Sequence, residues 1–443
     1  MRSQQLSAKD GAHLLIIKKM SMKFDDLGLD PNTLKAVKEC GYESPTPIQA
    51  KAIPAIQMTR DVVGLAQTGT GKTASFTLPM IDALSGGRAK MRMPRSLVLE
   101  PTRELAAQVA ENFDTYGKYH KLSKALLVGG ESMGDQKKIL EQGVDVLIAT
   151  PGRLLDLFER GSILLNDIRI LVIDEADRML DMGFIPDIER IVSLIPPTRQ
   201  TLLFSATMPP EIKKLTEKFL SNPKEISVDA ATSPAETVEQ FLVKVAPKDK
   251  NTALEKLLRQ EDVKNAFIFC NRKKDVDTLA KWLKSKKYAA AALHGDMPQA
   301  RRTETLQDFK DDKITLMVCS DVAARGLDVK GVSHVFNYDV PMSADDYIHR
   351  IGRTGRAGEK GRAWMLSSDR DEKFLDAIQK LIKRKFDPVD LKGGKTEKPS
   401  KPLHKDSKPS HDKKQPKKPQ KRDFEEDDDG SNSFGDDIPA FLR

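Results

Sequence analysis

The chain has 443 residues, more than one hydrophobic core usually organises, so we expect two or three domains. A net charge of +8 is compatible with an anionic partner without requiring one. No apolar run approaches the ~20 residues that span a bilayer. The three cysteines lack zinc-ligand spacing and favour reduced thiols. These features argue against a membrane-spanning or disulfide-stapled protein and predict a cytoplasmic one.

The first part of the chain alternates apolar runs with helical segments. Residues 1–21 are predicted to be a disordered extension, and the alternation fills residues 22–228. Near-continuous apolar strands are typical of a parallel sheet that is covered on both faces. The predicted strands are 61–66, 95–100, 125–128, 145–150, 170–174 and 201–205.

A phosphate-binding loop follows the first predicted strand. Its residues fit G-x-x-x-x-G-K-[ST] with alanine in the first position, and 74–80 can open a helix. Backbone N–H groups and the helix N-terminus attract phosphate. We expect Lys72 at the phosphates and Thr73 at Mg²⁺. A glycine-rich turn with an incidental lysine is the less favoured alternative. The predicted contacts are Ala66, Gln67, Thr68, Gly69, Thr70, Gly71, Lys72 and Thr73.

Three carboxylates follow the apolar run Ile170–Ile173. Asp174 is expected at the strand end, close to Mg²⁺, and Glu175 can orient or deprotonate a water molecule. The interval of ~100 residues from the phosphate loop suits a P-loop fold. The sequence therefore predicts hydrolysis of a nucleotide.

A second alternation occupies residues 237–388, after a predicted linker at 229–236. It has no phosphate loop, so the site is expected in the cleft between the two domains. Residues 389–443 form a polar tail, basic and then acidic, that is predicted to be disordered. The predicted strands are 241–245, 266–270, 289–293, 314–319, 334–338 and 362–366, with helices over 275–287 and 299–310.

The ordered motifs resemble those of the DEAD-box RNA helicases and, among these, of the bacterial RhlE-type proteins. The resemblance covers roughly residues 22–388 and implies two tandem RecA-like parallel-sheet domains. The motifs that carry it are 41–49, 66–73, 101–105, 129–130, 150–153, 174–177, 205–207, 294–302, 320–328 and 349–356.

The resemblance implies ATP as the nucleotide. Gln49 would pair with the adenine edge, since its amide offers both a donor and an acceptor. Phe24 would stack on the base, and Asp328 would contact the ribose. Arg353 and Arg356 would act as arginine fingers at the γ-phosphate. A helix-capping role for Gln49 and a core position for Phe24 are the alternatives.

The resemblance also implies residues that couple hydrolysis to domain movement, namely Asp177, Ser205 and Thr207. Further residues would hold RNA through phosphates and 2′-hydroxyls without reading bases. Gln299 and Arg302 match another family element. The expected RNA contacts are Thr102, Arg103, Gly130, Thr150, Arg153, Arg272, Ser320 and Arg350.

The implied activity is that of an RNA-dependent ATPase. As a monomer, it would bind ATP, Mg²⁺ and RNA across the cleft, unwind short duplexes or remodel RNA–protein complexes, and hydrolyse ATP to recycle. The sequence does not distinguish between ribosome assembly and RNA decay as the cellular process that it would serve. A non-catalytic RNA clamp is disfavoured by Glu175, Arg353 and Arg356. A DNA helicase is disfavoured by Gln49 together with 174–177.

The tail carries two further predictions. Residues 391–422 are rich in lysine and are expected either to bind RNA without sequence preference or to be a solvated linker. The last residues end in an apolar run, and Ile438–Leu442 is predicted to dock a protein partner as a short linear motif. A helix packed on the protein's own core is the alternative.

Overall fold

The computed structural model describes residues 22–67, 69–87, 89–90, 92–228, 238–324, 327, 329, 331–355 and 361–391. The predicted extension at 1–21, the whole of the predicted linker at 229–236 and the tail beyond Leu391 lie outside these residues. The predictions made for those segments, including the protein-docking motif at Ile438–Leu442, stay predictions.

The first half of the chain forms a parallel sheet. Its strands are β1 (Val62–Leu65), β2 (Ser96–Leu99), β3 (Lys124–Leu127), β4 (Val146–Ala149), β5 (Ile170–Ile173), β6 (Gln200–Ser205) and β7 (Lys224–Ser227). The strand order is β3-β4-β2-β5-β6-β1-β7. Leu97 and Leu171 pack into one hydrophobic cluster, whereas their neighbours Val98 and Val172 pack into another. Both faces of the sheet are therefore covered, as the apolar runs predicted.

Helices cover this first sheet. They are α1 (Pro31–Glu39), α2 (Pro47–Gln57), α3 (Lys72–Leu84), α4 (Arg103–Gly117), α5 (Met133–Gln142), α6 (Pro151–Glu159), α7 (Ala176–Asp181), α8 (Ile185–Leu194) and α9 (Pro210–Phe219). The side chain of Thr102 caps α4 by accepting a hydrogen bond from the Leu105 N–H at 3.3 Å. This cap fixes the start of α4 directly after β2.

The second half forms another parallel sheet. Its strands are β8 (Val238–Lys244), β9 (Ala266–Phe269), β10 (Ala290–Leu293), β11 (Leu316–Cys319), β12 (His334–Asn337) and β13 (Gly361–Ser367), in the order β10-β11-β9-β12-β13-β8. The helices are α10 (Lys250–Gln260), α11 (Lys273–Ser285), α12 (Gln299–Lys310), α13 (Asp321–Ala324), α14 (Ala344–Ile351) and α15 (Glu372–Ile382). Phe267 and Ile268 face opposite hydrophobic clusters, so this sheet is also buried on both sides.

The predicted fold class of two parallel α/β domains is confirmed. Every predicted strand is present within a few residues of its expected bounds, and β7 is an additional edge strand that the apolar pattern did not predict. None of the helices in the described part of the chain is long and apolar enough to cross a membrane. Because the strands are parallel, their carboxyl ends meet at one edge of each sheet, where sites are usually built.

Candidate active site

A cavity of about 390 Å³ lies at the carboxyl edge of the first sheet; we call it the P-loop cavity. Residues from both domains line it, so it lies in the cleft between them, as the sequence predicted. Among the predicted site residues, those lining it are Gln49, Gly69, Gly71, Lys72, Thr73, Asp174, Glu175 and Arg353.

The phosphate loop has the backbone conformation that its glycines permit. Gly69 and Gly71 have φ of +83° and +93°, values that side-chain-bearing residues rarely adopt. The Gln49 Nε2 donates to the Gly71 carbonyl at 3.2 Å, and the Gln49 Oε1 accepts from the Thr46 N–H at 2.9 Å. Gln49 therefore does cap α2, and it also joins α2 to the phosphate loop. Its amide keeps one N–H and one lone pair for a ligand.

Glu175 lies against two cations at the floor of the cavity. The Lys72 Nζ donates to Glu175 Oε1 at 3.0 Å, and the Arg178 Nε lies 2.6 Å from Glu175 Oε2. Although burial raises the pKa of Glu175, Arg178 and Lys72 outweigh it and lower that pKa to about 2. Glu175 also has φ of +52°, a strained value for a glutamate. It is therefore an ionised carboxylate in a backbone position that the fold enforces.

Asp174 and a residue that the sequence did not single out, Glu100, form a second group of carboxyls. Burial raises the pKa of Asp174 to about 7, against the lowering effect of Lys72. Glu100 is fully buried, and neither of its carboxyl oxygens has a hydrogen-bond partner among the described residues. The sequence could have pointed to Glu100 by its position, because it directly follows β2 just as Asp174 directly follows the neighbouring strand β5.

These buried carboxyls fit a divalent cation, because neither Asp174 nor Glu100 has an ion-pair partner in the described part of the chain. The described residues contain no group of three or more His, Cys, Asp or Glu side chains placed to form a metal cage. Mg²⁺ commonly takes one or two carboxylates and completes its shell with phosphate oxygens and waters. Thr73 and Asp174, which both line the cavity, are suited to hold it.

The three residues assigned to coupling are joined directly. The Asp177 Oδ2 accepts from the Thr207 N–H at 2.9 Å and from the Thr207 Oγ1 at 3.0 Å. The Asp177 N–H donates to the Ser205 Oγ at 3.2 Å. The turn after β5 and the end of β6 are therefore tied together by hydrogen bonds.

The second domain reaches the P-loop cavity with Arg353. This side chain is 6% exposed, and its Nη1 donates to the Leu327 carbonyl at 3.2 Å. His349 of α14 also helps to lower the pKa of Glu175 against burial, which raises it; the lowering effects of Arg178 and Lys72 are larger. Three predicted residues, Thr68, Asp328 and Arg356, lie outside the described residues.

The predicted stacking residue Phe24 lies behind the cavity wall. It is 4% exposed and stacks on Tyr42 with ring centroids 6.3 Å apart. Tyr42 lines the cavity, and its hydroxyl is 3.2 Å from that of Tyr116, which also lines it. The sequence did not single out either tyrosine. A contact between Phe24 and a base stays a prediction.

A groove of about 420 Å³, which we call the cleft groove, gathers much of the predicted RNA-binding set. Thr102, Arg103, Thr150 and Arg153 line it from the first domain, and Arg302 lines it from the second. The guanidinium of Arg103 packs against Gly130, which has φ of +83°. The Arg302 Nη2 is 2.8 Å from Glu104 Oε1, and both side chains are 8% exposed. The groove therefore has polar walls from both domains.

The remaining predicted RNA contacts differ in accessibility. Arg272 is exposed, and Ser320 is 8% exposed just after β11. Arg350 is 1% exposed, and all of its N–H groups are used inside its own domain. They bond Asp321, Asn337, Asn271 and the Asp339 carbonyl. In this structure the Arg350 guanidinium therefore supports its own domain, and its contact with RNA stays a prediction.

Two parallel-sheet domains with a phosphate loop and buried carboxylates in their cleft define a two-domain P-loop protein that acts on nucleotides. The family model for the DEAD/DEAH box helicase matches residues 46–215, and that for the helicase conserved C-terminal domain matches residues 249–358. The chain belongs to the DEAD-box helicase family.

Relatives and a solved structure agree with this assignment. The chain is 42% identical over 368 residues to the DEAD-box ATP-dependent RNA helicase CshA of Bacillus subtilis, covering 83% of this chain and 74% of the relative. It is 45% identical to the ATP-dependent RNA helicase DeaD of Mycobacterium tuberculosis, covering 83% and 65%. The structure of Saccharomyces cerevisiae Dbp5 bound to RNA and ADP BeF3 matches with a TM-score of 0.75 and 32% identity, covering 84% and 96%. The RhlE-type subgroup stays a prediction.

Proposed function

We propose that this chain is an ATP-dependent RNA helicase that binds ATP in the P-loop cavity and RNA in the cleft groove. One observation carries the proposal: Arg353 of the second domain lines the same cavity as Lys72 and Glu175 of the first. A site completed only by both domains can couple nucleotide chemistry to their movement. The family and the names of the relatives support ATP and RNA as the ligands.

In the proposed cycle, Lys72 exchanges its partner. Its ammonium now pairs with Glu175 and would transfer to the β- and γ-phosphates of ATP. Glu175, released from Lys72 and still beside Arg178, would then accept a proton from the attacking water. Arg353 would stabilise the charge that develops on the γ-phosphoryl group. Mg²⁺, held by Thr73 and Asp174, would offset the charge of the phosphate oxygens.

We propose that the cleft groove holds a single RNA strand by its backbone. Its walls offer the Thr102 and Thr150 side chains and the Arg103 and Arg153 guanidinium groups. Such groups bind phosphates and 2′-hydroxyls without reading bases. Closure of the two domains around the strand would displace its complement from a short duplex. We also propose that 22–228 and 237–388 act as the two domains of a monomer, joined by 229–236.

Steady-state ATP hydrolysis with RNA, with single-stranded DNA of the same sequence and with no nucleic acid tests this function. We expect RNA to stimulate turnover and DNA to do so much less, because only RNA carries the 2′-hydroxyl. Unwinding of a short RNA duplex should require ATP and fail with Lys72→Ala. Equal stimulation by DNA would favour a DNA helicase. RNA binding that depends on ATP without turnover would favour a clamp.

A further inference from the structure

Glu100 is the feature of the nucleotide site that the proposed cycle leaves unexplained. It is the first residue after β2, it is 0% exposed, and neither carboxyl oxygen has a hydrogen-bond partner among the described residues. A buried carboxyl without partners is costly, and nearly all buried polar groups in proteins are satisfied. A hydrogen-bond partner that is not part of the protein chain would explain why this carboxyl is buried.

The sheet places Glu100 beside the carboxylate assigned to the metal. Leu99 of β2 is in register with Ile173 of β5, so the next residues, Glu100 and Asp174, leave neighbouring strands at the same edge. The Glu100 and Asp174 carboxyl groups also interact electrostatically. Burial raises the pKa of Glu100 well above its usual value, and the nearby charges of Asp174 and Glu175 raise it further. Glu100 therefore belongs to the same site, although it does not line the P-loop cavity.

The two cationic side chains in this part of the site do not form ion pairs with Asp174 or Glu100. Lys72 and Arg178 both pair with Glu175. Neither Asp174 nor Glu100 forms an ion pair with a described residue. Since the described residues contain no three-residue metal cage, a Mg²⁺ ion held by Asp174 would retain several waters. Those waters are hydrogen-bond donors, and the unpartnered carboxyl group of Glu100, one strand away, offers an oxygen that can accept from them.

We propose that Glu100 is a positioning residue for the divalent cation of the nucleotide site, accepting hydrogen bonds from water on the ion that Asp174 and Thr73 hold. Glu100 touches neither ATP nor the attacking water, and it acts by fixing the hydrated ion. The inference rests on the proposed function, because it assigns a further residue to the same Mg²⁺–nucleotide site.

The test separates metal affinity from nucleotide affinity. Binding of a fluorescent ADP is measured in EDTA and during a MgCl₂ titration, for the full chain and for Glu100→Gln and Glu100→Ala. We expect the half-saturating Mg²⁺ concentration to rise by about 10-fold or more, the usual effect of losing an outer-shell partner. Affinity for ADP in EDTA should stay at the wild-type value. Glu141→Gln, at an exposed position of α5 in the same domain, is the matched control and should change neither quantity.

The possible outcomes distinguish a failure of the proposed function from a failure of the role proposed for Glu100. If the wild-type chain binds no ADP in EDTA or in MgCl₂, the proposed function fails. If it binds ADP with no dependence on Mg²⁺, or if both Glu100 variants titrate like wild type, the role of Glu100 is wrong while the proposed function stands. Thermal unfolding in EDTA is the second readout, and Glu100→Gln, which keeps the side-chain volume, should unfold close to the wild-type midpoint because no protein partner is lost. A clear fall in the Glu100→Gln midpoint would also overturn the proposal, since it would show that Glu100 has structural partners.

Discussion

Glu175 should produce two separable effects when it is neutralised, because it is the counterion of two buried cations. In Glu175→Gln the amide cannot accept a proton from water, and turnover should fall by about 10²–10⁴-fold while RNA and ATP remain bound. Lys72 and Arg178 would also lose their partner. Removing one member of a buried ion pair costs about 3–5 kcal/mol, so the free energy of unfolding without nucleotide should fall. ATPase rates and urea unfolding measure the two effects.

The matched control for Glu175→Gln is Glu189→Gln. Glu189 pairs with Lys218 on the surface, at 2.7 Å with both side chains well exposed. Exposed pairs contribute about 0–1 kcal/mol, so this control should barely shift either measurement. ATP should restore part of the stability lost by Glu175→Gln, since phosphates can replace the carboxylate at Lys72. Wild-type turnover in Glu175→Gln would remove Glu175 from the catalytic role.

Lys72→Ala should abolish ATP turnover for a different reason. It removes the ammonium that would bind the phosphates, and it leaves Glu175 with Arg178 as its remaining close cation. Loss of ATP binding in a fluorescence assay should accompany the loss of turnover. RNA binding without nucleotide should persist, because the cleft groove is untouched. A turnover rate near that of wild type would show that the phosphate loop is wrongly assigned.

At the scale of elements, α4 and α12 carry a polar link between the two domains. Arg302 of α12 binds Glu104 of α4 at 2.8 Å in a buried position, and the Arg103 Nη1 donates to the Gln299 Oε1 at 3.3 Å. We expect Arg302→Ala to weaken domain closure, since it leaves Glu104 buried without its cation. RNA-stimulated turnover should fall about 10-fold, equal to ~1.4 kcal/mol. ATPase assays over a range of RNA concentrations measure this.

The neighbouring residue supplies the control. Arg301 is on the same helix but pairs with Glu304 at 2.7 Å on the exposed face. Arg301→Ala should therefore leave RNA stimulation close to wild type. Exchanging the charges in Glu104→Arg plus Arg302→Glu should recover part of the activity lost in the single variants. Equal effects of the Arg301 and Arg302 variants would show that the link between α4 and α12 does not contribute.

The strands were predictable because nearly all of them are buried on both faces. A short apolar run such as Ile170–Ile173 is typical of a central strand, and it forms one, buried at every position. By contrast, β7 has a single buried residue, Ile226, among polar neighbours. As an edge strand paired only with β1, it has no apolar pattern to detect. A strand can therefore be predicted from the apolar pattern only where its side chains are buried, and a mostly exposed edge strand is missed.

The sequence motifs identified most of the candidate site residues, but they did not predict which side chains form ion pairs and hydrogen bonds with each other. The carboxylate Glu175 and the ammonium of Lys72 are 103 positions apart, and only the folded sheet brings them together. Glu100 was missed because one glutamate after an apolar strand carries no motif. Arg350 was assigned to RNA from its motif, yet its donors are consumed by Asp321 and its neighbours. Short-range sequence patterns identify residues, whereas long-range contacts decide their roles.

For the whole molecule, Arg353 should report whether the two domains act together. It belongs to the second domain, yet it lines the P-loop cavity of the first. Arg353→Ala should reduce turnover by about 10³-fold if a full arginine finger is lost. ATP affinity should change much less, because the phosphate loop alone provides most of the binding contacts. Single-turnover hydrolysis and ATP binding separate the two, and a loss of binding without a slower chemical step would contradict the finger role.

The tail beyond Leu391 lies outside the described residues, and its sequence sets the last prediction. Residues 391–422 are rich in lysine, and the acidic block follows at 423–429. Lysines that contact phosphates release counterions, so the slope of log K against log salt counts those contacts. Truncation after Pro388 should therefore flatten this slope for RNA binding and lower affinity most at low salt.

A second truncation, after Arg422, removes the acidic block but keeps the basic segment. It should preserve the wild-type slope or steepen it, because the acidic residues would otherwise compete for the same lysines. RNA-stimulated ATPase activity at saturating RNA should be similar in both truncations, since the P-loop cavity and the cleft groove are intact. Identical salt slopes for the full chain and for the chain ending at Pro388 would show that the basic segment is a solvated linker that does not touch RNA.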